Sequence, residues 1–110
     1  MKEITFVGSS DKEFEALPEK VRNKFSLDLV ALQKNTKPFS RIKHLDTVGK
    51  GVVELIKNGK PAHRVIYCAK FDDTIYVLHA FTKTTNGVDG EAIKLANKRY
   101  KDMLDLLKLK

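Results

Sequence analysis

Residues 62–85 read AHRVIYCAKFDDTIYVLHAFTKTT, two runs rich in Val, Ile, Tyr and Phe on either side of Asp72-Asp73. β-Branched and aromatic residues bounded by a short polar turn predict an antiparallel hairpin that reverses at the two aspartates. Side chains alternate along a strand, so Ala62, Arg64, Ile66 and Cys68 share one face of the first run, and His63, Val65, Tyr67 and Ala69 the other. The same rule groups Ile75, Val77, His79 and Phe81 against Tyr76, Leu78 and Ala80 in the second. Both faces are largely apolar, which predicts an interior strand pair covered by helices on one side and partly sheltered on the other. Arg64 inside the first run and Lys83 just past the second stand out against that background.

Upstream, Val52 to Ile56 is a third strand run that carries Glu54, joined to the hairpin through Asn58-Gly59-Lys60, residues suited to the positive backbone angles of a tight turn. Glu3 to Val7 is a short strand candidate. Ser9-Ser10-Asp11 followed by Glu13 marks a helix start, with acidic residues where the helix dipole favours them. Pro18 interrupts that helix and suits the first turn of the next, which the stripe Val21, Phe25, Leu29 and Leu32 carries to about Lys34. Leu27, Val30 and Ala31 widen the stripe and predict a broadly buried helix. Residues 36–50 mix Pro38, Ser40, Thr47 and Gly49 with Lys37, Arg41, Lys43, His44 and Lys50, and read as a basic loop. Gly49-Lys50-Gly51 lacks the GKS or GKT ending of a nucleotide-binding loop, so a plain turn is expected there. Beyond the hairpin, Thr84-Thr85-Asn86-Gly87 is a polar connection to a terminal helix starting near Asp89, with Ile93, Ala96, Tyr100, Met103 or Leu104, and Leu107 at helical spacing. The expected order β-α-α-β-β-β-α describes one α+β domain over residues 1–110, a small antiparallel-rich sheet backed by helices.

Composition sets the outer limits. A chain of 110 residues builds a single modest core. With 42% apolar and 32% charged residues it is expected to fold and to be neither a membrane protein nor a disordered tail. No apolar run approaches the roughly 20 residues of a membrane helix, and MKEITFV lacks the features of a secretory signal, so the cytoplasm is the expected compartment. The single cysteine, Cys68, sits in an apolar run and reads as a small buried hydrophobe. A net charge of +7 and a pI near 9.5 favour a polyanion or an acidic protein as partner. Neither Cys68 nor the three histidines show the spacing of zinc ligands, and no acidic cluster would hold two metals, so no cofactor is expected.

Several segments together carry a resemblance. The opening ITFVGSSDKEFEALPEKVR, the middle VGKGVVELIKNGKPAHRVIY, and IYVLHAFTKTT followed by a helix with AxxR (Ala96 to Arg99) resemble the phage-related branch of the HigB-type toxins, within the RelE and ParE toxin superfamily. The resemblance covers nearly the whole chain and implies a RelE-like fold. It also implies the toxin of a type II toxin-antitoxin pair: a ribosome-dependent, metal-independent endoribonuclease acting on messenger RNA. Its partner would be a cognate helix-turn-helix antitoxin, through which the toxin associates indirectly with DNA. Two departures bear on catalytic strength. The family often has ELR where this chain has Glu54-Leu55-Ile56, and two adjacent lysines where it has Lys83-Thr84, so a basic side chain is missing at each place.

Metal-free RNA cleavage sends the 2′-hydroxyl onto the adjacent phosphate, and the charge growing on the phosphoryl oxygens must meet fixed donors. Arg64 suits that task because its planar fork can hold a phosphate bidentately, and the resemblance implies an arginine there; the competing reading is a structural ion pair with Glu54. Lys83, at a strand end, can meet the same phosphate. Lys43 and Lys50 join Arg64 and Lys83 as expected RNA contacts. His79 is a candidate for proton transfer, although in YVLHAF a packed core histidine is the commoner outcome, and His63 points to the face opposite Arg64. Glu54 is a base candidate whose pKa a salt bridge to Arg64 would lower. Tyr67 and Tyr76 can stack bases or fill the core. Two other classes fit the residues: a non-catalytic basic module that inhibits a host protein or binds RNA without cutting it, and a gyrase inhibitor.

Overall fold

The computed structural model describes residues 1–108 as a five-stranded mixed sheet with helices on both faces. The elements run β1 (Glu3–Phe6), α1 (Ser10–Glu15), α2 (Glu19–Gln33), β2 (Arg41–His44), β3 (Val52–Lys57), β4 (Ala62–Cys68), β5 (Thr74–Lys83) and α3 (Gly90–Lys108). The strands lie in the order β1-β5-β4-β3-β2, all neighbours antiparallel except β1 and β5. No described helix is long and apolar enough to cross a membrane.

The expected hairpin is β4-β5. Asp72 and Asp73 take φ of 58° and 50°, and the Thr74 amide donates to the Phe71 carbonyl at 3.1 Å, as in the primed turns whose twist matches that of the strands. Pro18 ends the α1 segment and caps α2 at the expected point. Val21, Phe25 and Leu29 of α2, with Phe14 and Leu17, pack on Val53, Leu55, Val65, Tyr67, Ile75 and Val77 of one sheet face. Ala96 and Met103 of α3, flanked by Ile93, Tyr100, Leu104 and Leu107, pack on Val52, Ile66, Cys68, Tyr76 and Leu78 of the other. Burying a side chain of Phe or Leu size contributes about 1.5–3 kcal/mol, so two such layers carry the fold. Burial pushes the Cys68 thiol pKa up, in keeping with a packed hydrophobe.

The structure corrects four expectations. Helices cover both sheet faces, because α3 closes the side that was expected to be only partly sheltered. Part of the basic loop is a strand: Arg41–His44 pairs with Val53–Ile56 at the sheet edge, where all four side chains are exposed and leave no apolar alternation to read. Of the residues expected to widen the α2 stripe, Ala31 is buried, but Leu27 and Val30 face away from the core, 61% and 40% exposed, because α2 lies on the sheet along the Val21, Phe25 and Leu29 stripe. Strict alternation also fails in β5. Tyr67 pairs with Val77 but Ile66 with His79, so Leu78 is an extra residue, a bulge that moves His79 and Phe81 to the α3 side with Tyr76 and Leu78.

Candidate functional site

A cleft of about 710 Å³ opens on the α3 side of the sheet. Alternation along β3 brings Glu54 and Ile56 to this face, Arg64 follows on β4, and the β5 bulge returns Phe81 and Lys83 to it. Lys43 on β2 is directly opposite Glu54. The β2-β3 connection contributes Asp46 and Thr47 as a wall, and the segment before α3 contributes Val88 and Asp89. The Asp89 carboxylate caps α3 by accepting the Ala92 amide at 3.1 Å. Gly49 holds the β2-β3 wall against the helix: a Cβ there would lie 2.3 Å from the Tyr100 ring, so only glycine lets the ring pack on the connection.

Glu54 and Arg64 form the expected ion pair, Nε to Oε1 3.8 Å, with both side chains about nine-tenths buried. Arg64 is held further by the His63 carbonyl, which accepts from Nη1 at 3.1 Å. The expectation that this pair would depress the carboxylate is overturned. Burial pushes the Glu54 pKa up, and Arg64, Lys43 and Lys83, each pulling it down, do not offset that cost. The same balance shows three cations within electrostatic reach of one carboxylate. Among the described residues neither Lys43 nor Lys83 forms a salt bridge or a side-chain hydrogen bond, so both charges are free to meet an anion.

Of the candidate residues, Lys43, Glu54, Arg64 and Lys83 share the cleft. Lys50 does not line it; it is exposed on the turn between β2 and β3. His79 is not in the cleft either. Its ring stacks on Phe81 at 4.7 Å, and Nδ1 donates to Glu13 Oε1 at 2.7 Å, while Phe81 lines the cleft. His63 lies on the opposite face, its Nδ1 3.0 Å from Thr82 Oγ1. Tyr67 and Tyr76 are core residues and do not line the cleft; burial pushes the Tyr67 phenol up to about 12. Ile56, at the position where a basic residue was noted as missing, lines the cleft, and Thr84 lies outside it.

Arg99 belongs to the AxxR motif noted above, where it had no assigned role. Arg99 is 7% exposed and forms a fork with Glu13, Nη2 to Oε2 2.7 Å, while Nη1 donates to the Leu78 carbonyl at 3.0 Å. The bulge deprives that carbonyl of a strand partner, and Arg99 supplies one. Gly8, at φ +59°, leaves the room: a Cβ would lie 3.1 Å from Arg99 Nε. The signal was in the α3 stripe, since Ala92, Ala96, Arg99 and Met103 are its buried residues and an arginine on a core stripe requires a buried acceptor.

A family model of phage-derived Gp49-like proteins (DUF891) matches residues 12–101, which include every wall of the cleft and the Glu13-Arg99 fork. That family is associated with toxins of the RelE superfamily. Among curated proteins none matches the chain.

Proposed function

From the premise that the chain belongs to the phage-derived Gp49-like family, we propose that it is the toxin of a type II toxin-antitoxin pair, an endoribonuclease that cuts messenger RNA on the ribosome. The observation that carries the reading is the convergence of Arg64, Lys83 and Lys43 on the buried Glu54 carboxylate in one cleft. Glu54 takes the proton of the 2′-hydroxyl, whose oxygen attacks the adjacent phosphorus. The bond from phosphorus to the 5′ oxygen breaks, that oxygen takes up a proton, and a 2′,3′-cyclic phosphate remains. Arg64 and Lys83 meet the charge that develops on the phosphoryl oxygens. Burial raises the Glu54 pKa above the ordinary carboxylate value and makes it a stronger base than an exposed carboxylate. The partner is an acidic or amphipathic antitoxin that masks the basic surface.

Ile56 favours a second reading. An apolar side chain beside Arg64 removes one donor from the cleft, which suits a module that binds RNA without cutting it. Inducible expression with and without the neighbouring gene, in parallel with Arg64→Ala and Lys83→Ala, tests the proposal. Growth arrest that the neighbour relieves and that each variant loses is the expected result, because removing one such donor costs about 10²- to 10³-fold in rate. Full toxicity in both variants at wild-type expression would refute the site. Arrest without new RNA ends in a translation reaction would favour the binding module.

A further inference from the structure

Arg41 is exposed on β2, directly opposite Ile56; Ile56 is opposite Arg64, and Arg64 opposite Phe81. Directly opposed residues of antiparallel strands project from the same face. Arg41, Ile56, Arg64 and Phe81 therefore form one row across four strands on the α3 side. The last three line the cleft, and Arg41 stands at the open end of the row on the sheet edge. The two arginines differ in how they are held. Arg64 is tied to Glu54 and to main-chain carbonyls, whereas the Arg41 guanidinium has no salt bridge or side-chain hydrogen bond among the described residues. Between them lies an apolar side chain that offers neither guanidinium a partner. Two strand spacings separate their backbones, roughly 10 Å.

We propose that Arg41 is a positioning residue that holds the phosphate next to the one held by Arg64. A single-stranded polynucleotide then crosses the strands from β4 toward the β2 edge, with the intervening nucleotide over Ile56. The inference rests on the RNA-cleft reading, and its consequence is that the sheet edge contributes to the substrate path. The free guanidinium at the edge takes over part of the charge that Ile56 does not provide, because a phosphate is recognised by any donor fork that reaches it.

The test is fluorescence anisotropy with a short labelled single-stranded RNA whose 2′-hydroxyls are all methylated, so that binding is measured without cleavage. Each phosphate contact on a single strand contributes about 0.7 to the slope of log affinity against log salt. Arg41→Ala and Arg64→Ala are each expected to flatten the slope by about that amount and to weaken binding evenly across sequences. Lys24→Ala, on the outer side of α2, should leave it unchanged. Moving the guanidinium one strand inward, in Arg41→Ala combined with Ile56→Arg, should restore the slope. Circular dichroism confirms that each variant folds. If Arg64→Ala flattens the slope and Arg41→Ala does not, the Arg41 inference fails while the cleft reading stands. If Arg64→Ala leaves it unchanged, the cleft reading fails and the inference with it. A double variant that stays flat overturns the row geometry.

Discussion

Glu54 and Glu13 are both partly buried carboxylates, yet their surroundings push them in opposite directions, and their pH dependence follows. Burial dominates at Glu54 and raises its pKa against the pull of Arg64, Lys43 and Lys83. At Glu13 burial again acts upward, but hydrogen bonds from Arg99 and His79 outweigh it and the pKa falls below the usual 4.5. A raised folded value means that Glu54 favours folding at low pH, an advantage lost as pH rises through that value. The stability of Glu54→Gln relative to the parent should therefore rise as pH goes from acid to 7. A lowered folded value means that Glu13 stabilises the fold above its unfolded pKa and ceases to do so as pH falls through the folded one. Glu13→Gln should be less stable at pH 7, and the two should converge in acid. Urea denaturation across the pH range checks both; Glu13→Gln as stable as the parent at neutrality would refute the network. For catalysis the same shift predicts that the acid limb of the cleavage rate lies above 4.5 and vanishes in Glu54→Gln, with a rate loss of about 10²- to 10⁴-fold. A Glu54→Gln enzyme that keeps both its rate and its acid limb would remove Glu54 from the chemistry.

At the level of elements, β5 and α3 are tied together by an arginine rather than by apolar packing alone. Arg99→Ala leaves the Leu78 carbonyl without its donor and leaves Glu13 held by His79 alone, and breaking a buried pair by removing one partner costs about 3 kcal/mol. Lys98→Ala, which loses only an exposed pair with Asp102, should cost less than about 0.5 kcal/mol. Equal denaturation midpoints for the two variants would show that the fork contributes nothing. The same elements show what was legible in the sequence. The turn at Asp72-Asp73, the start of α2 at Pro18 and the α3 stripe each have a local cause, a turn residue or a 3.6-residue period, and each was readable. The placement of Glu54, Arg64 and Lys83 on one side of the sheet was half readable. Alternation on β3 and β4 puts Glu54 and Arg64 together, but Lys83 joins them only because the bulge at Leu78 shifts the phase of β5. Nothing in VLHA announces a bulge. It goes with a tertiary contact in which Arg99, 21 residues away, donates to the Leu78 carbonyl. Edge strand β2 escaped for the opposite reason: its pairing is all backbone, and its side chains Arg41, Ile42, Lys43 and His44 are all exposed.

For the whole molecule, a charge of +7 on 110 residues favours association with an acidic partner or with RNA. Leu27 and Val30 lie exposed on the outer side of α2, with Lys24 one turn before them and Lys34 one turn after, and on the proposed reading they are the apolar anchors for the antitoxin. Antitoxin binding should accordingly divide into two parts. Charge should set the association rate, which falls steeply as salt screens the field, within a Debye length of about 8 Å at physiological ionic strength. Apolar anchors should set the residence time. Binding kinetics with the product of the neighbouring gene, measured across an ionic-strength series in an Arg64→Ala background that limits toxicity during expression, separate them. Leu27→Asp and Val30→Asp should quicken dissociation about tenfold or more, the effect of losing some 1.4 kcal/mol each, and leave the salt dependence of association nearly as it was. Lys24→Glu with Lys34→Glu should do the reverse. No binding at low salt would rule out that neighbour as the antitoxin. An association rate indifferent to salt would remove the electrostatic step, and dissociation unaffected by the α2 substitutions would move the anchors to another face.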